Sequence, residues 1–263
     1  IVASCGECFY CLRDLPQKCQ RSVKYGHQQW SDDSVWNGGL ADYCLLAANT
    51  SIFRVPDELP DAVACPANCA TATVAAAIEA TGTLTDRAVL VMGAGMLGLT
   101  ACAMARDRGA TRVICCDLNA ERLTQAVLFG ATHTTTPDNV VNTCAELTAG
   151  FGVDACLELT GATPAIQTAL ASLRMGGVLV EVGAVFPTPA LELQPEQLVR
   201  RQWTLRGIHN YAPRHLQQAI TFLAAHSQLP FGALVAQWFS LADADQAFRA
   251  AGSGKCFRVG VRP

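Results

Sequence analysis

Cys5, Cys8, Cys11 and Cys19 form a C-x2-C-x2-C-x7-C run within IVASCGECFYCLRDLPQKCQ. A deprotonated thiol is a soft donor, and two-residue gaps let a turn present neighbouring thiolates to one ion, so the spacing predicts zinc. Four thiolates leave no open coordination position, which makes such a site structural rather than reactive. Disulfide pairing is the alternative reading of the same four residues.

A second pattern bears on nucleotide chemistry. In RAVLVMGAGMLGLTACAMARDRG, Gly93, Gly95 and Gly98 follow a strand-like run and open a helix-like one, with Met96 and Leu97 in the same turn. Gly93 suits a tight turn, Gly95 a close approach of a pyrophosphate to the backbone, and Gly98 the seating of the helix on a sheet. The helix N-terminus offers unpaired amides to phosphates. The next strand-like run ends at Asp117 in CCDLNAERL, where a carboxylate can accept both ribose hydroxyls and repel a 2′-phosphate, so NAD is expected over NADP. Arg122 follows, placed to lie over the adenosine side. A plain tight turn and a solvated loop aspartate are the alternatives.

These groups need elements to position them. From Arg87 to Gly207, strand-like runs (AVLVM, RVICCD, DACLELT, GVLVEVG) alternate with helical segments at about 97–108, 120–129, 140–149 and 164–174, the signature of a parallel sheet with crossover helices. Residues 1 to about 70 have turn signals and no helical period. They read as irregular plus β, with two short strand-like runs in GGLADYCLLAANTSIFRVP and a short helix over 57–64. A strong helix is expected over 70–80, others over 213–225 and 242–250, and a last strand in KCFRVGVRP.

Composition limits the function classes. Hydrophobic residues make up 51% and charged residues 16% of 263 residues, with a net charge of −3, which describes a well-buried enzyme rather than a disordered or nucleic-acid-binding chain. Thirteen cysteines is an odd count, so they cannot all pair within one chain. Cys102, Cys115, Cys116 and Cys156 fall in apolar runs as small hydrophobes, which fits a reducing cytoplasm. No apolar run reads as a bilayer span, GGVLVEVGAVF being interrupted by Glu181, and no membrane partner is expected. The chain starts at Ile1, in what looks like the tail of a strand, and a preceding segment is expected.

Taken together, the cysteine lobe, GGLADY, a cysteine before an alanine-rich helix and the GAGMLG turn resemble the zinc-dependent medium-chain alcohol dehydrogenases, in that family's order from Ile1 to Pro263. The resemblance implies an α/β fold: a Rossmann doubly wound parallel sheet over 71–210, and the remainder of a GroES-like, mainly β catalytic domain over 1–70, to which 211–263 returns. It implies that the lobe holds the structural zinc and that Cys69, in ACPANCATATVAAAI, is one ligand of a catalytic zinc; a buried core thiol is the alternative. Thr73 matches a position beside the nicotinamide, Thr160, Gly161, Val182, Gly183 and Ala184 match loops that line the cofactor, and Arg258 a residue on the pyrophosphate. HQQWSDDSVWNGGLADYCLL adds a narrower resemblance to alcohol dehydrogenases associated with phosphonate catabolism.

The activity so implied is reversible hydride transfer between a small-molecule alcohol or aldehyde and NAD, with zinc as a Lewis acid, in a homodimer or homotetramer. The remaining catalytic zinc ligands and the proton relay of that family belong upstream of Ile1, so the catalytic residues are left unassigned. None of His27, His133, His209, His215 and His226 stands in a ligand motif with Cys69, and each is expected at the surface or in a loop. Two other functions compete: a non-catalytic NAD-binding fragment, and a zinc-free quinone reductase of the same superfamily, against which the lobe and Cys69 argue.

Overall fold

The computed structural model describes residues 2–27 and 37–263. The chain divides into two compact units, one of residues 1–72 with 210–263 and one of residues 73–209.

The second unit is built on six parallel strands: β3 (Ala88–Met92), β4 (Arg112–Cys116), β5 (His133–Thr135), β6 (Val153–Glu158), β7 (Leu173–Glu181) and β8 (Thr204–Gly207), in the order β5-β4-β3-β6-β7-β8. Parallel neighbours cannot be joined by a hairpin, so helices cross between them: α3 (Met96–Asp107), α4 (Ala120–Leu128), α5 (Val140–Leu147), α6 (Thr163–Ser172) and α7 (Pro195–Arg201). Strands covered on both faces must be apolar throughout, and all five residues of β3 are buried. Leu90, Ile114, Cys156 and Leu179 share one register row and pack with Val140, Cys144, Ile166 and Leu170 of α5 and α6. The α/β class expected from the alternating pattern is the class observed.

At the amino edge of this sheet, Asp154 closes the layer. One carboxylate oxygen accepts the Ala88 amide (2.9 Å), and the other meets Arg174 Nε (2.7 Å) and Arg87 Nη1 (3.2 Å). The carboxyl edge carries an aligned row, Thr135, Cys116, Met92, Glu158, Glu181 and Gly207. The strand order reverses between β3 and β6, which opens a crevice for ligands at that edge.

The first unit holds a small antiparallel pair, β1 (Val2–Ala3) with β2 (Val23–Lys24), and a parallel pair, β9 (Val235–Ser240) with β10 (Arg258–Arg262). Its helices are α1 (Asp61–Ala64), a π-turn over Ala67–Thr71, α8 (Pro213–Ala225) and α9 (Ala244–Gly252); the π-turn leads into α2 (Ala72–Thr81), which from Thr73 onward belongs to the second unit. Gly260 lies under the Trp238 ring so closely that a Cβ there would sit 2.4 Å from it.

Four expectations are corrected. The two strand-like runs of GGLADYCLLAANTSIFRVP form no strand: among the described residues none pairs with them, and Tyr43, Leu45 and Ile52 are exposed. Without a partner ladder, an apolar alternation alone does not make a strand. The short helix begins at Asp61, not at residue 57. His215 is buried rather than at the surface, because its Nδ1 accepts the Ala212 amide at the start of α8 (3.0 Å). Finally, the helical run Asp61–Thr81 has the length and composition of a membrane span, although just over half of its most apolar window is buried inside the protein, as in a core helix. Of the segment carrying the narrower resemblance, residues 28–36 lie outside the described residues.

Candidate cofactor cleft and zinc lobe

The dinucleotide turn is held at its base by a bond from the Gly93 amide to the Cys116 carbonyl (2.7 Å). A Cβ on Gly98 would lie 1.8 Å from the Gly93 carbonyl oxygen, so the first turn of α3 rests directly on the loop. Around Gly95 the situation is opposite: a Cβ there would meet nothing within 4 Å. Gly95 is the N-cap of α3 and no side chain caps it, so the first amides of the helix face an open position suited to an anion. Met96 is buried beneath this turn and Leu97 half-buried beside it.

Asp117 sits just past β4 and grips the same loop. Its Oδ2 accepts the Ala94 amide (2.6 Å) and its Oδ1 the Asn119 amide (2.8 Å). Each oxygen keeps a lone pair for a hydroxyl. The Asn119 side chain caps α4 by accepting the Arg122 amide (3.1 Å), which fixes Arg122 in the first turn beside Asp117.

The loops after β6 and β7 complete the edge. Glu158 is fully buried, and its carboxylate accepts the amides of Thr160 and Gly161 (both 2.9 Å) and the Thr160 hydroxyl. The Val182 and Gly183 amides bond to the Glu158 carbonyl (3.0 and 3.1 Å). Gly161 and Gly183 touch backbone to backbone, a Cβ on either falling 2.2–2.5 Å from the other. Thr160 and Ala184 are exposed at the rim, and Val182 is buried. Glu181 accepts the Ala184 amide through Oε1 (2.9 Å). The structure therefore brings Gly93, Gly95, Gly98, Asp117, Thr160, Gly161, Val182, Gly183 and Ala184 to one edge of one sheet. Thr73 lies in the same unit, half-buried in α2.

Glu158 and Glu181 were missed as site residues in the sequence. Their signal was a carboxylate closing an apolar strand immediately before a turn, in LELTG and VEVGA.

In the first unit the four lobe sulfurs converge, all within 4.8 Å of one another. Sulfurs at ~2.3 Å from a tetrahedral zinc stand about 3.8 Å apart. The separations Cys5–Cys19 and Cys8–Cys11 are 3.5 Å, and Cys5–Cys11 and Cys8–Cys19 are 3.9 Å. Those distances fit one zinc and are far too long for disulfides. The Cys5 and Arg21 amides point at Cys19 Sγ (3.3 and 3.4 Å), and the Cys11 amide helps hold the Cys8 thiol down to about 6. Such N–H donors favour thiolates.

Cys69 lies exposed in the π-turn, with Arg258 Nη2 of β10 at 3.6 Å from its sulfur. The lobe is the one cluster of three or more potential ligands among the described residues, and Cys69 is outside it. A single thiolate does not hold a catalytic zinc. Of the histidines, His27, His133 and His209 are exposed, and His226 stacks on Phe222.

Comparison with known proteins agrees with this geometry. A family model described as zinc-binding dehydrogenase matches residues 97–225. Sorbitol dehydrogenase of Halalkalibacterium halodurans is 27% identical, over 98% of this chain and 73% of that protein. L-threonine 3-dehydrogenase of Yersinia enterocolitica is 28% identical, over 97% and 72% respectively. Among solved structures, an alcohol dehydrogenase from Thermotoga maritima superposes with a TM-score of 0.94 at 26% identity, covering all of this chain and 74% of that one. Alcohol dehydrogenase TADH from Thermus sp. ATN1 gives 0.87 at 25% identity, over 99% and 75%.

Proposed function

We propose that this chain, which the zinc-binding dehydrogenase family model matches over residues 97–225, binds NAD and oxidises a small-molecule alcohol, or reduces the matching aldehyde or ketone, by hydride transfer. The observation that carries the reading is the carboxyl edge of the parallel sheet, where an open helix N-terminus, a strand-end aspartate and two interlocked loops line one crevice. The α3 amides bind the pyrophosphate, Asp117 orients the adenosine ribose, and the Thr160–Gly161 and Val182–Ala184 loops shape the nicotinamide end. When bound, the nicotinamide supplies the hydride acceptor or donor. The protein's part is to fix the ring's position and keep water from it.

The structural zinc supplies rigidity to residues 5–19 and no chemistry. Cys69 is the candidate ligand for a second zinc, but one donor is no site. Asp117 supports NAD over NADP, since a ribose 2′-phosphate beside that carboxylate is repelled. The relatives' names, sorbitol, threonine and arabitol-phosphate dehydrogenases, support a secondary alcohol on a polar chain as the substrate class. A cytoplasmic location accords with the five buried cysteine thiols of the sheet unit. Assembly as a homodimer or homotetramer is supported by β8, an exposed edge strand.

Titration of the full chain with NADH, followed by fluorescence, and NAD reduction with sorbitol, threonine, arabitol phosphate and 2-hydroxyethylphosphonate test the reading. Tight NADH binding with turnover of one alcohol is expected. Tight NADH binding without any turnover supports the cofactor-binding fragment, and no binding sinks the proposal.

A further inference from the structure

Glu158 and Glu181 end neighbouring strands of the sheet and are register partners across the β6–β7 ladder. Glu158 is fully buried and holds the loop after β6 through three donors. Glu181 holds the loop after β7 through its Oε1 and the Ala184 amide. Its other oxygen, Oε2, is buried and receives no donor from the protein. Among the described residues, the ionisable groups that act on Glu181 include the Glu158 carboxyl from β6 and the Cys156 thiol two residues earlier on that strand; its register partner on β8 is Gly207, flanked by Arg206. Among the described residues, neither carboxylate has a salt bridge.

Two carboxylates are acceptors only, so this pair, Glu158 fully buried and Glu181 half-buried with its Oε2 enclosed, is satisfied when one of them carries a proton. We propose that Glu181 is a positioning residue for the nicotinamide end of the cofactor: it holds the one proton of a carboxyl pair with Glu158, and that pair ties the Thr160–Gly161 loop to the Val182–Ala184 loop. The inference rests on the cofactor reading above. Glu181 touches no cofactor atom in this scheme. It acts through the loops, which already meet backbone to backbone at Gly161 and Gly183.

Burial, with the Glu158 charge adding to it, pushes Glu181 up from the usual carboxylate value of 4.5 to about 7. A raised folded-state value means that the protonated pair contributes fully below about 4.5 and that its contribution is lost as pH rises through about 7. Above that pH two negative charges face each other beneath the loops, the loops separate, and cofactor binding weakens.

The test is the NADH dissociation constant of the full chain between pH 5.5 and 9, for wild type and E181Q, with melting temperatures over the same range. Glutamine keeps the Ala184 bond and supplies a permanent N–H toward Glu158. In wild type the constant is expected to rise about tenfold per pH unit above the transition. In E181Q it is expected to stay within about twofold of the low-pH wild-type value throughout. A flat wild-type profile overturns the proposal even if E181Q does not fold. A pH dependence that persists in E181Q overturns the carboxyl pair while leaving the cofactor reading intact. Melting temperatures that shift with pH while NADH affinity does not assign the pair a structural role only and also overturn the proposal. Absence of NADH binding at every pH refutes the cofactor reading and the positioning role with it.

Discussion

Gly98 and Gly95 lie three residues apart in the same turn, yet the structure demands opposite outcomes from replacing them by alanine. At Gly98 the new Cβ would be 1.8 Å from the Gly93 carbonyl oxygen and 2.8 Å from its carbon. A carbon–oxygen contact normally needs more than 3 Å, so the helix or the loop must shift by over 1 Å. Overpacking of that kind costs about 1–3 kcal/mol or more. For a domain of this size each kcal/mol lowers Tm by about 2–4 °C, so Gly98→Ala is expected to lower Tm by up to about 12 °C. NADH affinity should fall as well, because the displaced turn carries the amides that face the pyrophosphate. At Gly95 nothing lies within 4 Å of the added Cβ, and the backbone φ of −74° suits alanine. Gly95→Ala is therefore expected to leave Tm within about 1 °C and still weaken NADH at least tenfold, about 1.4 kcal/mol, because the methyl group occupies the approach of the phosphates. Differential scanning fluorimetry paired with NADH titration reads both quantities. A stable Gly98→Ala protein would refute the seating of α3 on the loop, and a Gly95→Ala protein that binds NADH normally would refute the placement of the phosphates.

Three other outcomes follow from the same geometry. Cys11→Ser removes one corner of the sulfur tetrahedron; zinc content should fall from about one per chain toward zero, with increased protease sensitivity confined to residues 2–25, and undiminished zinc would contradict the lobe. Asp117→Ser removes the charge expected to repel a 2′-phosphate, so the NAD to NADP affinity ratio should drop about tenfold or more, and an unchanged ratio in parallel titrations would count against that role. Asp154→Ala strips an acceptor from the Ala88 amide and from Arg87 and Arg174; a loss of about 2 kcal/mol is expected, or about 4–8 °C in Tm, with NADH affinity retained because Asp154 lies at the opposite edge of the sheet.

Much of the fold was legible because its signals are local. Four of the sheet strands and their helices announce themselves as apolar runs of five to nine residues alternating with helical segments, and the structure shifts their ends by only a few residues. β5, β8 and β9 were not legible. His133–Thr135 is a three-residue edge strand and Thr204–Gly207 is exposed along its whole length, so neither carries an apolar pattern, and in Val235–Ser240 the apolar residues Val235, Ala236, Trp238 and Phe239 do not alternate with polar ones. The reverse error occurred at residues 38–56, where alternation without a neighbouring strand left Tyr43, Leu45 and Ile52 in solvent. Hydrophobic pattern states which face wants burial, and it takes a partner to supply the ladder.

The site shows the same division between what spacing encodes and what register encodes. Cys5 to Cys19 and Gly93 to Gly98 are compact in sequence, so residue types and gaps suffice to predict the chemistry. Glu158 and Glu181 are separated by a whole crossover, α6 and most of β7, and nothing local relates them. In GGVLVEVGAVF, Glu181 reads as a blemish that argues against a membrane span. It becomes a partner of Glu158 once β6 and β7 pair in parallel with Leu157 against Val180, because the next step of that register must then set the two carboxyls side by side. A one-residue slip would move Glu181 to the opposite face of the sheet and leave Glu158 opposite Val180 or Val182. The register is fixed elsewhere, by the buried contacts of Cys156 with Leu179 and by the Val182 and Gly183 amides on the Glu158 carbonyl, so packing in the core imposes the acid pair at the edge. Two carboxyls side by side, Glu158 fully buried and Glu181 half-buried, are a cost that the core alone gives no reason to keep, and their position under two loops of the cofactor crevice is what supplies one.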